Sequence, residues 1–414
     1  VNRRILLIAA TTGYQTRVFA EAARRLGAEL TLATDRCHVL DDPWGDHAIA
    51  VRMENPRASA AKLARGKYDA IVAVGDRPTL VAAETAQRLG LRYHPPAAVE
   101  ACHDKYAARR LFASAGLPVP DFFRVSLSDD PAVAAQRASY PCVLKPLGLS
   151  ASRGVIRADS PGEFIAAFAR IKAILETPEL LRLNDIVNES LQVESFIPGR
   201  EFAVEGLATR GTFHALAIFD KPDPLDGPYF EETIYVTPSR ASSATQQALL
   251  ETVGRGTAAL GLTDGPVHAE LRYNQSGAYL LEIAARPIGG LCAGALRFEV
   301  GLSLEEVVLR HALGEEVQGL HLSTPAAGVM MIPIPNSGIY VGVEGVEEAS
   351  AIAGIEDVII TAKEGQRLFT LPEGSSYLGF LFARGSSPAF VENALREANR
   401  RLRFEIAVML PVSR

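Results

Sequence analysis

Apolar residues recur along this chain with two periods, and the switches between them lay out its elements. Ile5 to Ala10 is an unbroken apolar run, Gln15 to Leu26 repeats its apolar positions every three or four residues, and Glu29 to Ala33 is apolar again. That spacing predicts a strand, an amphipathic helix stopped by Gly27, and a second strand. Ala70 to Val74 predicts a third strand ending at Gly75-Asp76, followed by a helix over Leu80 to Leu89 that Gly90 closes. Repeated strand-helix-strand units of this kind build a parallel α/β sheet, here expected over residues 1–98. The turn Thr11-Thr12-Gly13-Tyr14 lacks the GxGxxG spacing, so no dinucleotide fingerprint is present. Gly75-Asp76-Arg77, at a strand's carboxyl end, suits either substrate contact or a plain turn.

The middle of the chain alternates short strands with loops rich in hydrogen-bond donors. Asp104 is placed to cap a helix that Lys105 opens and Gly116 ends, before Pro118 and Pro120 stiffen the exit. A lysine in the first turn opposes the helix dipole, which suits an anionic neighbour, although a solvated lysine is the plain alternative. Cys142 to Lys145 reads as a buried strand leading into a Gly/Ser loop that returns at Val155. The backbone N–H groups there, the hydroxyls of Ser150 and Ser152 and the Lys145 ammonium could cradle phosphate oxygens, or the segment could be an ordinary hairpin loop. It lacks the GKS/T ending of a P-loop. After a helix near Pro161 to Leu175 comes a strand, Val193 to Ile197, that carries Glu194 and is turned by Pro198-Gly199, with Glu201 opening the next strand. Such a connector can offer backbone groups to a base edge and a carboxylate to ribose, or be a simple hairpin. The long segment from Phe219 to Ser239 contains Lys221, Glu231, Glu232 and Tyr235, candidates for substrate contact that solvated turn residues would also explain. Farther on, Ser303 and Glu306 form a capping box, strands are expected at Gly328 to Ile334, Val358 to Thr361 and Leu378 to Ala383, and Ser387-Pro388 starts a last amphipathic helix.

Between these lies Val267 to Gly290, a predicted β-hairpin with acids on it. A three-residue loop, Gln275-Ser276-Gly277, sets Glu270 across from Glu282 and places His268, Glu270 and Arg272 on one face with Leu280, Glu282, Ala284 and Arg286. Like charges opposed in a sheet destabilise it unless a cation lies between them. Mg²⁺, which takes one or two carboxylates and completes its shell with water and phosphates, is the simplest such cation; the bland alternative is a solvated edge hairpin. His268, beside the acids, reads either as a core histidine satisfied by backbone or as a group that orients an acyl substrate or accepts a proton from an incoming amine.

Composition narrows the classes. The 414 residues are 48% hydrophobic and 22% charged, which indicates neither disorder nor a membrane protein. The length suggests two to four domains at about 100–200 residues each. A net charge of −6 argues against nonspecific nucleic-acid binding, and no apolar stretch approaches the roughly 18 residues of a spanning helix. Cys37, Cys102, Cys142 and Cys292 are scattered without metal-ligand spacing, so free thiols in a cytoplasmic protein are expected.

Taken in order, Lys105, Lys145 with its Gly/Ser loop, VESFIPGREF and the Glu270–Glu282 hairpin followed by Arg286 resemble the ATP-grasp superfamily over nearly the whole chain. The tail VMMIPIP…SSYLGFLFARG resembles the carboxyl-terminal domain of biotin carboxylase-like members, including the L-amino acid ligases. The resemblance implies an α/β and α+β multidomain fold: a Rossmann-like unit (1–98), a linker helix and small lobe (99–190), a large lobe with the metal hairpin (191–320) and a carboxyl-terminal subdomain (321–414). It further implies that Lys105, Lys145, Ser150, Ser152 and Gly154 serve the phosphates of ATP, that Glu194 and the backbone of Ser195, Phe196 and Ile197 hold adenine, and that Glu201 binds ribose. Glu270 and Glu282 would ligate Mg²⁺ or Mn²⁺, and Arg286 would stabilise the transferring phosphoryl group. Beside these, Lys221 and Glu232 stand as substrate candidates from their loop, and the Gly289-Gly290 turn would let backbone approach the acyl substrate closely. The family's usual Asn two residues past its second metal acid is here Ala284, which puts one metal position, and with it turnover, in question. The implied activity is an ADP-forming carboxylate-amine ligase passing through an acylphosphate, with small carboxylate and amine substrates, no nucleic-acid or membrane partner, and a homodimer as an allowed assembly. A carboxylase-like or glycinamide-ribonucleotide-synthetase-like enzyme, or a nucleotide-binding regulator, are the rival readings.

Overall fold

The structure, a computed structural model, describes residues 3–10, 14–35, 48–182, 186–317 and 319–408. The turn at Thr11-Gly13 and Cys37 lie outside the described residues. Strands β1 (Arg3–Ala9), β2 (Ala28–Thr34), β3 (Ile49–Ala50) and β4 (Ala70–Val74) form a parallel sheet in the order β3-β2-β1-β4. Every residue of β4 and all but the first two of β1 are buried, as a parallel sheet with helices over both faces requires. Helices Tyr14–Arg25 and Arg77–Leu89 fall where the periodicity predicts, the second starting three residues early because Pro78 suits a first turn. Strand β3 and the helices Pro56–Leu63 and Pro96–His103 were not legible in the pattern: the strand is two residues long, and both helices are of eight residues and begin on proline.

Asp104 caps the helix Lys105–Ser114 as expected, accepting from the amides of Tyr106 and Ala107. Strands β5 (Phe122–Ser126), β6 (Cys142–Pro146), β7 (Ile156–Ala158) and β8 (Ser190–Ser195) then make an antiparallel sheet ordered β5-β8-β6-β7. The helix Pro161–Leu175 covers it with Phe164, Phe168 and Ile171. Ile197 falls beyond the end of β8, because Pro198 can continue neither ladder nor helix. Gly199 (φ 123°) is forced: a Cβ there would lie 2.3 Å from the Tyr273 carbonyl oxygen.

The remaining strands extend one large sheet. β9 (Arg200–Thr209), β10 (Thr212–Asp220), β11 (Ile234–Thr237), β12 (Gly265–Asn274) and β13 (Gly277–Ala284) are joined by the tail strands β14 (Ala326–Ile332), β16 (Ile355–Ile360) and β18 (Gly379–Gly385), in the order β13-β12-β9-β10-β11-β14-β18-β16. β15 (Gly338–Glu344), β17 (Arg367–Leu368) and β19 (Arg403–Ala407) form a three-stranded sheet beside it. Ser387 caps the helix Pro388–Arg401, which buries Val391 and Leu395, and the capping box of Ser303 and Glu306 is closed in both directions. Among the described residues no helix is long and apolar enough to cross a membrane.

The β12–β13 hairpin reaches the predicted pairing of Glu270 with Glu282 by a different route. Pairing begins at Asn274 and Gly277, leaving the two-residue turn Gln275-Ser276, and Leu281 is then an extra residue that restores the register. This bulge turns Leu280 into the core opposite Leu271, not onto the face of the acids where strict alternation would put it.

Candidate active site

One cavity of about 910 Å³ opens among the three larger sheets, and most of the polar residues singled out from sequence line it. Lys105, Lys145, Ser150, Ser152, Glu194 and the following Ser195, Phe196 and Ile197 are among its lining. Glu201, Glu232, His268, Glu270, Glu282, Arg286, Gly289 and Gly290 line it as well. Gly154 and Lys221 are not on the wall. The Gly154 amide donates to the Pro372 carbonyl at 2.9 Å, and a Cβ at its φ of 72° would meet the Pro146 ring at 2.7 Å, so this glycine serves loop closure. Lys221 lies beneath the wall.

Lys105 and Lys145 are held differently. The Lys105 ammonium donates to the Leu149 carbonyl at 2.6 Å and stands 3.5 Å from Glu282, joining the Gly/Ser loop to the acid hairpin. Lys145 is held 2.6 Å from Glu194. That carboxylate is only 2% exposed and also receives Arg109 at 2.6 Å and the Gln192 amide at 2.5 Å. Burial pushes the Glu194 carboxyl up, but Arg109 and Lys145 outweigh it and bring it down to about 2. Glu194 therefore anchors cations, and its side chain is not presented to a base as the resemblance implied. The amides of Ser195 and Phe196 are likewise spent, on the carbonyls of Asp121 and Pro141. Arg109 also donates to the carbonyls of Leu280 and Leu281 at the bulge. Sequence reasoning passed it over, although it lies one helical turn after Lys105.

Glu201, Glu232 and Glu270 offer carboxylate oxygens within 4.8 Å of one another, a spacing compatible with a metal. Lys221 occupies that position: its ammonium is 2.8 Å from Glu201, bonded to Glu232, and 3.6 Å from Glu270. Burial works against this charge, but the three acids raise the lysine well above its usual range. Burial and the neighbouring Glu270 charge lift Glu232 to about 7 in spite of Lys221. The second oxygen of Glu201 takes Arg272 at 3.0 Å; Arg272 stacks 5.0 Å over Phe196 and donates to the Ile197 carbonyl. Phe196 in turn stacks on Phe230 at 6.5 Å. Of the other candidates in this segment, Tyr235 lines the cavity and Glu231 does not.

Glu270 and Glu282 contrast with these saturated acids. Their side chains are 26% and 29% exposed, and each meets its cations no closer than 3.5 Å: Lys221 and His268 for Glu270, Lys105 for Glu282. Two opposed, partly exposed carboxylates on the cavity wall, Glu282 with Lys105 at 3.5 Å and Glu270 beside His268, Lys221 and Glu232, fit a hard divalent cation. Ala284, opposite His268, offers no ligand atom. His268 is satisfied by carboxylates, Glu205 at 2.9 Å on Nδ1 and Glu270 at 3.6 Å on Nε2, and not by backbone. Burial lowers its pKa, but hydrogen bonding to those acids prevails and raises it to about 9. The raised pKa favours the imidazolium, which donates on both nitrogens toward the acids that flank it.

Arg286 is gripped by Asp76 on both sides of the carboxylate, Nε at 2.6 Å and Nη2 at 3.2 Å, while Nη1 donates to the Pro287 carbonyl. Burial raises the Asp76 carboxyl, but Arg286 overcomes this and the net shift is downward. The Gly290 carbonyl accepts from Gln15, so the first α/β unit reaches the cavity at two points.

Comparison with known proteins agrees with this geometry. The ATP-grasp domain family matches residues 138–295, and the L-amino acid ligase C-terminal domain 2 matches residues 330–407. An uncharacterized protein, y4rH, of Sinorhizobium fredii is 23% identical over 98% of this chain and 84% of its own length. The alanine–anticapsin ligase of Bacillus subtilis is 27% identical over 55% of this chain, which spans about half of that relative (50%). The fold is similar to that of an L-amino acid ligase from Bacillus licheniformis, with a TM-score of 0.79 and 24% identity over 98% of this chain and 99% of the other. The chain thus carries an ATP-grasp domain followed by the C-terminal domain of the L-amino acid ligases.

Proposed function

We propose that this protein is an ADP-forming ligase that joins an amino acid or other small carboxylic acid to an amine through an acylphosphate. The observation that carries the reading is the open pair Glu270 and Glu282, facing the same cavity as Lys105, Lys145 and Arg286. Lys145, Ser150 and Ser152 bind phosphate oxygens, and Lys105, which ties that loop to the hairpin, adds its charge beside them. The Phe196–Phe230 pair and the connector through Ile197 take the base, and Glu201, oriented by Lys221 and Arg272, accepts from ribose. Glu270 and Glu282 hold Mg²⁺ or Mn²⁺, which when bound neutralises phosphate charge. Arg286 donates to the oxygens that gain charge as the phosphoryl group moves to the carboxylate, and phosphoryl transfer depends mainly on such positioning. His268, charged and fixed by Glu205, orients Glu270. The part of the wall at Gly289-Gly290 receives the acyl substrate and the amine; the amine nitrogen attacks the acyl carbon, the C–O bond to phosphate breaks, and the departing phosphate takes up the proton the nitrogen loses, which completes an amide.

The test is ADP and phosphate release over a panel of amino-acid pairs with Mg²⁺ present. Release that requires both an acid and an amine, with a stoichiometric amide product, supports the ligase. Nucleotide binding without release under every pair contradicts it.

A further inference from the structure

Arg286 is positioned from outside its own sheet. Asp76 stands at the carboxyl end of β4 and at the start of the helix Arg77–Leu89, where an aspartate ordinarily caps the helix with its side chain. Here it makes no side-chain cap bond. Its carboxylate crosses instead to the Nε and Nη2 edge of Arg286, 210 residues away in sequence. With Nη1 also donating to the Pro287 carbonyl, three of the five guanidinium N–H groups are used and the plane of the group is set. The remaining N–H groups belong to Nη1 and Nη2, and both residues border the cavity. A two-point pair of this kind fixes direction as well as charge.

We infer that Asp76 is a positioning residue for Arg286, by which the amino-terminal α/β unit sets the orientation of the group that meets the transferring phosphoryl oxygens. The inference rests on the proposed ligase reading. It makes the amino-terminal unit part of the reaction machinery, because a shift of β4 against the large sheet would rotate Arg286 away from its substrate. Asp76 does not itself touch the reacting atoms.

The experiment uses the full chain in four forms: unchanged, Asp76→Asn, Arg286→Lys, and the double variant. Each is assayed for steady-state ADP release with the best acid-amine pair, and for the rise in melting temperature given by ADP with Mg²⁺ and inorganic phosphate, which needs no turnover. Asp76→Asn keeps the shape, so nucleotide KM should stay within about twofold while kcat falls about 10- to 100-fold. In the Arg286→Lys background the same change should cost less than about threefold, since residues acting as one unit are not additive. The phosphate-dependent part of the melting shift should shrink in Asp76→Asn while the ADP part persists. Independent, multiplying losses in kcat, or an undiminished phosphate-dependent shift, overturn the positioning role. If the unchanged protein releases no ADP with any pair, the ligase reading fails, and the melting shifts alone decide whether Asp76 governs the phosphate-binding posture of Arg286.

Discussion

The cavity holds two kinds of carboxylate, and their difference is in their neighbours. Glu194 and Glu201 have both oxygens occupied at 2.6 to 3.0 Å by lysine and arginine. Glu270 and Glu282 face their cations at 3.5 Å or more and keep part of their surface open. The first kind spends its charge on fixed cations and keeps at most a second lone pair per oxygen for a neutral hydroxyl donor; the second kind has charge left to bind a cation. A glutamate at a given spacing is compatible with either, and the long-range partners decide.

Breaking the saturated pair should produce the largest change. Glu194→Gln leaves Arg109 and Lys145 without a counter-charge in a buried site, which typically costs about 3–5 kcal/mol, read as a lowered urea midpoint. A midpoint within the error of the unchanged protein would show that water reaches the site. The same contrast has a pH signature. The Glu194 carboxyl is lowered in the fold to about 2, so its stabilising contribution is complete above the ordinary carboxylate pKa of about 4.3 and is lost as pH falls from there toward 2. Glu194→Met should flatten that limb of the stability curve.

For the open pair, Glu282→Gln changes charge and not shape. It should lower Mg²⁺-dependent ADP release by about 100-fold or more, comparable with loss of one preorganised electrostatic group, while the melting temperature barely moves. Unaltered turnover at limiting Mg²⁺ would remove Glu282 from the metal site. Glu201→Ala, in the saturated class but on the cavity wall, is expected to raise the KM for ATP about tenfold, roughly 1.4 kcal/mol, with a smaller effect on the KM for the amine. Equal changes in both would assign it to packing alone. The smallest effect on nucleotide binding is expected from Gly154→Ala: its amide serves the Pro372 carbonyl and not a ligand, so positive φ together with the 2.7 Å approach of a Cβ to the Pro146 ring should lower stability by more than about 1 kcal/mol with nucleotide KM nearly constant.

What the sequence made legible is local. Caps at Asp104, Ser303 and Ser387, the α/β periodicity at the start, and the opposition of Glu270 to Glu282 follow from residues a few positions apart. Even there the register was reached through a two-residue turn plus a bulge at Leu281, because two compensating one-residue shifts leave the acids where a longer loop would have put them. The partners that decide each acid's role were not legible. Arg109, Arg272 and Asp76 meet Glu194, Glu201 and Arg286 across 85, 71 and 210 residues, and no spacing rule spans such separations. Lys221 was recognised as a candidate but not as the cation at the centre of three acids, since that arrangement needs β9, β10 and β12 to be neighbours first.

The pairing of β11 with β14 bears on how this molecule can be taken apart. Four residue pairs there, Ile234 to Thr237 against Met330 to Ala327, join the tail to the sheet that ends in the acid hairpin. A fragment stopped before Ala326 would not be a smaller enzyme with its last module removed. It would present β11 as a bare edge whose four residues are all buried in the intact protein, the kind of surface that recruits other chains. Exchange of the tail between relatives is therefore a transplant across a continuous sheet, and a chimera will be well behaved only where the incoming β14 matches the pleat of the β11 it must meet.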